Sequence, residues 1–352
     1  MNPGAFTRGH LVLTNKGYKD ISQIEVGDVV LTHTGEYHKV IKTSNRVAET
    51  MSVRISGYPK FITTENSLFG TVIQHRKWDC SVKTYVREFV NFNQIEISNL
   101  TLDHFCGQLI SPKENKIMET NFSLEDYWLL GRYIADGHVR KSKRKGRKNS
   151  YQYQFIISVG DSKVEDFKSK ITERHYSCYP HTQSTHRCVF SSMELVNFVI
   201  DNNFGCSAST KRIPEFIYNL PYEYKKEFLM GYLSGDGYYN NDCWKASTVS
   251  KELAFDIQRL ATQIYKTNVT VSCTGKRKDG HRIEGRLIRS NFNSYAITIP
   301  TEIKKQTVAH VENNIVWTPV KEVENTGNKK VVYSLEVETD NSYTVNNCIV
   351  FN

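Results

Sequence analysis

The two ends of the chain share a short-period pattern of hydrophobic and polar positions. Over residues 10–60, brief apolar runs alternate with glycine-containing turn signals every eight to twelve residues. The runs are 11–13, 29–31, 39–43 and 51–55, and the turns between them are 15–17, 26–28 and 34–36. Residues 315–352 have the same character, with strands predicted at 331–337 and 342–345 and a turn at 324–328. This pattern is typical of all-β structure.

The middle of the chain, about residues 122–305, changes to a helical period. Helices are predicted, with strands between them, at 126–135, 162–174, 193–203, 223–234 and 251–266. Ser123, just ahead of the first of these helices, is a typical helix cap. We therefore expect one β-rich domain built from both chain ends, interrupted by an α+β insert.

One short motif occurs twice in the insert. Residues 129–137 read Leu-Leu-Gly-Arg-Tyr-Ile-Ala-Asp-Gly, and residues 229–237 read Leu-Met-Gly-Tyr-Leu-Ser-Gly-Asp-Gly. Repetition at this scale predicts two similar units related by a pseudo-twofold axis. Each copy places two small residues four apart on one helix face, so the two helices could approach with their backbones nearly in contact. These pairs are Gly131 with Ala135 and Gly231 with Gly235.

The acidic residue that ends each copy is the candidate catalytic and metal-binding group. Asp136 and Asp236 would lie side by side at the ends of the paired helices, where two carboxylates repel each other unless a cation lies between them. A site made of oxygen ligands alone suits Mg²⁺, with the backbone carbonyls of Ala135 and Gly235 as further candidate ligands. For either copy alone, a buried helix that ends in an Asp-Gly turn is the favoured interpretation. The matched pair favours the metal site.

Charge is concentrated in two basic runs, one after each repeat. The 46 lysines and arginines against 37 acidic residues give a net charge of +9. Each run leads into an alternating segment, 151–155 or 295–299, so basic hairpins that follow DNA phosphates are predicted. A solvated loop is the alternative for either run alone. The candidate DNA-binding residues are Lys141, Lys143, Arg144, Lys145, Arg147 and Lys148 in the first run and Lys276, Arg277, Lys278, Arg282, Arg286 and Arg289 in the second.

Composition excludes several classes of protein. The chain of 352 residues has no apolar run long enough for a membrane span and no secretory signal, so we expect an intracellular (cytoplasmic) location and no membrane partner. Its eight cysteines form no Cys-x-x-Cys pair, which argues against a structural zinc site and a disulfide framework. Because one chain supplies both repeats, we expect a monomer.

These motifs together resemble an intein that carries a LAGLIDADG (DOD-type) homing endonuclease. The resemblance implies a β-rich Hint (horseshoe) splicing domain in two parts, 5–118 and 307–352, after a flanking stub at 1–4. It implies an endonuclease at 119–306, with repeats at about 119–215 and 216–306. It further implies Mg²⁺-dependent cleavage of both strands of a long asymmetric DNA site, with flanking host segments (exteins) joined in cis. Lys211, in a Lys-Arg-Ile-Pro sequence similar to the family's Lys-x-Ile-Pro block, is the lysine that would assist cleavage.

The splicing residues depart from the pattern of the family. At the position of the N-terminal nucleophile stands Ala5, whose methyl group cannot attack a carbonyl. The Thr-x-x-His block aligns best with Thr63 and Asn66, so the histidine is replaced; a register one residue later, which pairs Thr64 with Ser67, remains open.

At the other splice junction, Phe351 stands in place of the penultimate histidine and Asn341 in place of a second one, whereas the cyclising Asn352 is retained. With Ala5 and no residue after Asn352, we expect splicing to be blocked and the 4–5 peptide bond to stay intact. The alternatives are a natural intein of the alanine class and an insert that binds DNA but has lost cleavage. The insert argues against an autoprocessing Hint domain of a secreted signalling protein.

Overall fold

The computed structural model describes residues 4–113, 118–144, 150–275, 281–283, 286–288, 291–302 and 309–352, with the backbone alone given at residue 91, at 281–283 and at 286–288. The chain divides into two compact units. The first consists of residues 1–115, 265–272 and 299–352, and the second consists of 116–264 and 273–298. None of the helices within the described ranges is long and apolar enough to cross a membrane.

The described residues form mostly antiparallel strands, with a few helices. The strands are β1 (Phe6–Thr7), β2 (Leu11–Thr14), β3 (Gly17–Asp20), β4 (Val29–Leu31), β5 (Tyr37–Ile55), β6 (Phe61–Thr63), β7 (Leu68–Asp79), β8 (Thr84–Glu96), β9 (His104–Leu109), β10 (Gly137–Lys143), β11 (Tyr151–Gly160), β12 (Ser177–Thr182), β13 (Thr185–Phe190), β14 (Gly237–Asn240), β15 (Cys243–Thr248), β16 (Thr270–Thr274), β17 (His281–Ile283), β18 (Arg286–Ile288), β19 (Ser294–Pro300), β20 (His310–Glu312), β21 (Ile315–Val337), β22 (Ser342–Val345) and β23 (Cys348–Phe351). The α-helices are α1 (Leu124–Asp136), α2 (Val164–Lys170), α3 (Met193–Asp201), α4 (Tyr222–Asp236) and α5 (Lys251–Tyr265), and short 3-10 helices cover Ile21–Gln23, Ile97–Asn99, Asp161–Lys163 and Glu215–Asn219.

The first unit is built around one large sheet to which both chain ends contribute. Among the described residues, thirteen strands join in the order β20-β21-β1-β6-β5-β4-β2-β22-β23-β9-β7-β8, with β3 paired to β2. Its core contains Phe6, Phe61, Phe69 and Tyr343, each almost fully buried. Because β1 lies between β6 and β21, and β22 and β23 lie between β2 and β9, the residues of both predicted splice junctions are held in the same sheet.

Two predicted details of this unit were wrong. The separate strands predicted at 39–43 and 51–55 form a single strand, β5, which pairs along its length with β21. The predicted turn at 324–328 does not reverse the chain but lies inside β21, where the pairing register shifts between Asn325 and Lys329. Gly327 there has a left-handed φ of 65°, as β-bulges often require. An Asn-Thr-Gly-Asn sequence fits a turn and a bulge equally well, and the partner strand determines which one forms.

The described part of the insert, about residues 122–305, consists of two repeats with the same topology. In the first, α1 leads directly into a four-stranded sheet ordered β10-β11-β13-β12. In the second, α4 leads directly into a four-stranded sheet ordered β14-β15-β19-β16. Each repeat also has a helix between its second and third sheet strands, α2 or α5. The predicted sequence repeat is therefore matched by a repeated arrangement of helices and strands.

The first repeat helix begins where its sequence predicts. Ser123 accepts a hydrogen bond from the Asp126 backbone N–H (3.2 Å), and the Asp126 carboxylate accepts one from the Ser123 N–H (3.1 Å). This reciprocal capping box satisfies two helix N–H groups that otherwise lack intrahelical partners. The helix then runs to Asp136 with Tyr133 and Leu130 buried along it. The cap and the apolar face therefore position the carboxylate at its C-terminus.

Candidate functional site

The two repeat helices α1 and α4 are in backbone contact, as the spacing of small residues predicts. A Cβ atom added at Gly131 would lie 1.9 Å from the Phe228 carbonyl oxygen. A Cβ added at Gly231 would likewise lie 1.9 Å from the Trp128 carbonyl oxygen. Side chains cannot occupy either position, so glycine allows an approach that larger residues would prevent. The predicted close packing of the two helices is confirmed.

This packing brings the helix ends together. Asp136 and Asp236 are the last residues of their helices, and a Cβ added at Gly235 would lie 2.9 Å from Asp136 Oδ2 and 2.5 Å from Ala135 Cβ. Gly137 follows α1 with a φ of −96°, so its lack of a side chain serves close packing rather than a left-handed cap. A Cβ there would lie 2.5 Å from Tyr133 Cα. The Asp-Gly sequence is thus needed for the approach of helix and strand.

Burial dominates the electrostatics of the two carboxylates. Burial raises the pKa of Asp136, and the nearby charge of Arg132 opposes this increase. Burial also raises the pKa of Asp236 to about 6, and the Asp136 charge adds to the increase. The Asp236 residue is partly exposed to solvent, yet the surrounding protein disfavours its ionised form. Two crowded carboxylates of this kind are the arrangement that a cation stabilises.

The arginine within the first repeat was missed by sequence reasoning. Arg132 lies one helical turn before Asp136, and its Nη1 atom is 2.9 Å from Asp136 Oδ2. Its side chain is 3% exposed. Burial lowers the pKa of Arg132, whereas the Asp136 and Asp236 charges raise it. The signal available in the sequence was the i,i+4 spacing of Arg132 and Asp136, since residues four apart share a helix face.

Two lysines bind the C-terminal ends of the repeat helices. Lys211 Nζ donates to the Tyr133 and Gly137 carbonyl oxygens at 2.7 and 3.0 Å. Lys163 Nζ donates to the Ser234 and Gly235 carbonyl oxygens at 2.9 and 2.7 Å. Cations suit helix C-termini, where unpaired carbonyl groups carry partial negative charge. Lys211 was predicted near the site, whereas no sequence motif identified Lys163.

Lys211 has an unusual protonation equilibrium. Burial lowers its pKa to about 7, which the Cys206, Asp136 and Asp236 charges oppose. As a neutral amine it retains two N–H bonds for the Tyr133 and Gly137 carbonyls and one lone pair to accept a proton. An amine that titrates near neutral pH can act as a general base or a general acid.

The helix after the second repeat holds the Lys211 segment in place. Asp256 on α5 accepts a hydrogen bond from the Ile213 N–H at 2.8 Å and another from the Tyr218 hydroxyl at 2.8 Å. The Ser250 hydroxyl donates to the Lys211 carbonyl at 2.8 Å. Burial raises the pKa of Asp256 to about 7. These contacts determine where the Lys211 backbone lies.

The residues present fit a divalent metal of the Mg²⁺ type. Asp136 and Asp236 bring two carboxylates to adjacent helix ends, and Arg132 Nη1 lies beside them, 2.0 Å from the position of a Cβ added at Gly235. No group of three or more histidine, cysteine, aspartate or glutamate residues occurs in the described chain, so a metal here would be held by two carboxylates and by water, as Mg²⁺ often is. The Gly235 carbonyl, proposed from sequence as a ligand, already accepts the Lys163 ammonium hydrogen bond.

The described part of the first basic run lies on the β10–β11 hairpin. Lys141 Nζ is 5.3 and 5.2 Å from the ring centroids of Tyr151 and Tyr153. Lys143 ends β10 and Arg144 follows it. The remaining candidates, or their side chains, lie outside the described residues. They are Lys145, Arg147, Lys148, Lys276, Arg277, Lys278, Arg282, Arg286 and Arg289.

The two basic runs occupy different positions in the topology of the two repeats. The first run connects the first and second strands of its sheet, β10 and β11. The second connects the third and fourth strands, β16 and β19. The position equivalent to the first run is the Asn240–Cys243 turn between β14 and β15, which has no lysine or arginine.

A second candidate site surrounds Ala5 in the first unit. The Ala5 N–H donates to Thr64 Oγ1 and Ser67 Oγ, both at 3.0 Å. The Ala5 carbonyl accepts from Thr63 Oγ1 at 2.7 Å and from the Thr64 N–H at 2.9 Å. Thr64 and Ser67 therefore both contact the Ala5 amide. This contact corresponds to the later register that the sequence left open, which pairs Thr64 with Ser67.

Asn66 lines an open cleft of about 1160 Å³ beside Gly4, together with Asn341 and Asn352. The Asn352 N–H donates to the Asn341 carbonyl at 2.9 Å. In the orientation that satisfies both of its polar groups, the Asn352 carboxamide donates to Leu335 O (2.7 Å) and accepts from Val337 N (2.9 Å). Gly4, next to the predicted upstream junction, and Asn352, at the predicted downstream junction, therefore line one cleft.

The residue before Asn352 is not available as a proton donor. Phe351 is buried, with its ring centroid 4.9 Å from that of His33 and 6.1 Å from that of Phe92. His33 in turn contacts Ser342 Oγ through Nδ1 at 2.7 Å. Burial lowers the pKa of His33, and the Asp340 charge opposes this change. The position of the penultimate histidine is thus part of an aromatic cluster.

Comparison with known proteins gives related sequences that are much longer than this chain. The helicase Hel308 of Thermococcus kodakarensis is 24% identical over 401 residues, which cover 95% of this chain and 35% of that protein. A DNA polymerase of the same organism is 24% identical over 56% of this chain and 12% of its own length. The replication factor C small subunit of Methanocaldococcus jannaschii is 25% identical over 70% of this chain and 14% of its own length. No protein-family model matches the chain.

Among solved structures, the chain is similar to I-DmoI in complex with DNA and Mn, with a TM-score of 0.33, 18% identity, and coverage of 50% of this chain and 89% of that one. It is also similar to the gp41-1 intein, with a TM-score of 0.19, 20% identity, and coverage of 26% of this chain and 80% of that one. The chain spans about a third or less of the three curated relatives described above.

Proposed function

We propose that the protein is an intein-type insert whose second unit cleaves both strands of a DNA site with Mg²⁺. The observation that carries the proposal is the pair of backbone-contacting helices α1 and α4, which end in Asp136 and Asp236 with a lysine at each helix end. The relatives support it, because this chain matches only part of a helicase, a polymerase and a replication factor, whose named activities differ. A segment that is inserted into unrelated host proteins would produce such a set of relatives.

Each residue of the site has a role in this proposal. A bound Mg²⁺ would offset the charge that develops on the attacking and leaving oxygens of a phosphate displacement. Asp136 and Asp236, one from each repeat, would hold the metal. Lys211, whose pKa lies near 7, would accept the proton of the attacking water, and Lys163 holds the opposite helix end in position. The basic β10–β11 hairpin would contact phosphates and so position the duplex, while its outward side chains would read a groove.

The first unit is proposed to be a Hint splicing domain whose first step is blocked. Acyl transfer at the upstream junction needs a nucleophilic side chain, and Ala5 supplies none. Its amide is nevertheless held by Thr64 and Ser67 as a scissile peptide bond would be. Asn352 retains the carboxamide that cyclisation requires. We propose that exteins would flank this unit in cis and that the chain acts on DNA as a monomer.

Plasmid cleavage tests the endonuclease. The substrate is the DNA that flanks this chain's coding sequence, joined without it and carried on a supercoiled plasmid. The full chain should yield linear plasmid with Mg²⁺ and none with a chelator. Asp136→Asn and Asp236→Asn should each abolish cleavage of both strands while gel-shift binding persists. Double-strand cleavage at the normal rate by either variant would contradict a site shared between the repeats.

A DNA-binding module without cleavage is the second candidate. It is favoured by Arg132, whose guanidinium lies 2.9 Å from the Asp136 carboxylate where a metal would bind. The same assay separates the two functions. A plasmid that stays supercoiled with Mg²⁺ or Mn²⁺, although the wild-type chain shifts it on a gel, would establish the binding module and rule out the endonuclease.

A further inference from the structure

We propose that the Arg132 guanidinium serves as the resident cation of Asp136 and Asp236, the cation that lies beside these two carboxylates when no metal is bound. Its positive charge holds the two carboxylates together in the metal-free protein and competes with a divalent metal for them. This inference rests on the proposed metal site of the second unit. It concerns how that site is loaded, and not whether it exists. It assigns a role to a side chain that the family resemblance leaves without one.

The position of Arg132 carries the argument. Its side chain is 3% exposed, and Nη1 lies 2.9 Å from Asp136 Oδ2. A Cβ added at Gly235 would lie 2.0 Å from that same nitrogen. The guanidinium therefore reaches across from its own helix to the other repeat, beside the backbone that leads into Asp236. A positive charge there attracts both carboxylates and repels any divalent ion they bind, and both effects grow as distance shortens.

The hydrogen bonding of Arg132 shows that its contacts are incomplete. Although Nη1 is close enough to Asp136 to form an ion pair, its N–H bonds find no acceptor among the residues that the structure describes. A buried donor without an acceptor is costly, and a guanidinium is especially so because it cannot lose its charge in proteins. The contact with Asp136 is therefore an attraction of charges at short distance without a well-aligned hydrogen bond, and it leaves the Asp136 carboxylate able to bind a divalent ion instead.

The second repeat provides the comparison. Tyr232 stands at the position equivalent to Arg132 and is equally buried, at 1% exposure. Its hydroxyl also lacks a hydrogen-bond partner among the described residues. Of the two equivalent positions, the one in the first repeat carries a positive charge and the one in the second repeat carries a neutral hydroxyl. The resident cation therefore belongs to the first repeat, and the second repeat accommodates a neutral side chain at the equivalent position.

The test is Mn²⁺ binding by the full chain without DNA, followed through the electron paramagnetic resonance signal of free Mn²⁺. Arg132→Met removes the charge and keeps a long unbranched side chain. Arg132→Lys keeps the charge, and Tyr232→Phe is the matched control at the equivalent position. We expect Arg132→Met to bind Mn²⁺ at least tenfold more tightly than the wild type, whereas Arg132→Lys and Tyr232→Phe should stay within threefold of it. Adding Asp136→Asn to Arg132→Met should remove the gain.

Mn²⁺ should also raise the melting temperature of Arg132→Met more than that of the wild type, because a ligand stabilises the folded state according to its affinity. If Arg132→Met does not fold, Arg132→Gln replaces it in the same titration. Equal or weaker Mn²⁺ affinity in a folded neutral variant, with binding still sensitive to Asp136→Asn, would overturn the inference and leave the proposed function intact. Absence of Mn²⁺ binding in every variant would overturn both.

Discussion

The contact between α1 and α4 can be tested by a single added methyl group. In Gly231→Ala the new Cβ would lie 1.9 Å from the Trp128 carbonyl oxygen. Carbon–oxygen contacts between helices are normally about 3.3 Å or longer, so the helices must separate by about 1.4 Å. The obstructing atom belongs to the backbone of a helix, so no side-chain rotation can relieve the clash.

The energetic cost follows from this displacement. A gap of about 1 Å forfeits a quarter to a half of the dispersion attraction between each pair of atoms along the interface, and overpacking of this kind costs about 3 kcal/mol. Alanine is favoured over glycine in a helix by about 1 kcal/mol, which offsets part of the loss. We therefore expect Gly231→Ala to lower the free energy of unfolding by about 2 kcal/mol. For a unit of this size the melting temperature should fall by about 4–8 °C.

Urea unfolding followed by circular dichroism measures this change, with Gly160→Ala as the matched control. Gly160 has no atom within 4 Å of an added Cβ, so its variant should stay within about 0.5 kcal/mol of the wild type. Gly131→Ala should behave like Gly231→Ala. The double variant should be destabilised by less than the sum, because the first substitution has already separated the helices. A Gly231→Ala protein as stable as the control would refute the account of the interface.

Three further predictions concern activity. Metal binding needs the ionised Asp236 carboxylate, whose pKa is about 6, and proton acceptance needs the neutral amine of Lys211, whose pKa is about 7. The rate of DNA cleavage measured from pH 5 to 9 should therefore rise through both pKa values and level off above them. A rate that does not change with pH would contradict these assignments. Neutralising Lys141, Lys143 and Arg144, the described residues of the first basic run, should weaken DNA binding and flatten its dependence on salt. The logarithmic slope should fall by about 0.9 for each phosphate that the variant no longer binds, and an unchanged slope would exclude these residues from the interface. Ala5→Cys should restore thiol-induced cleavage of the 4–5 peptide bond, and more of the chain should be cleaved when Ser67→His is added than when Asn66→His is added. More cleavage with Asn66→His would favour the earlier register.

Local chemistry in the sequence was sufficient to locate the repeat helices and their ends. The helices predicted at 126–135 and 223–234 are Leu124–Asp136 and Tyr222–Asp236, and the strand predicted at 342–345 is Ser342–Val345. Apolar periodicity, a serine cap and small residues four apart act within one or two turns of chain, so they can be read without knowing the fold. The contact of the two helices followed because the same spacing occurs in both copies.

Other features depended on residues far apart in the chain. Lys163 reaches the Gly235 carbonyl across 72 residues, and Ser67 meets the Ala5 amide across 62. The glycine in β21 forms a bulge instead of a turn because β5 continues beside it. In each case the sequence offered several acceptable partners, and the long-range pairing of elements selected one, since a polar group bonds to whatever the fold brings near. The sequence therefore determined which groups could act, and tertiary packing decided which of them meet.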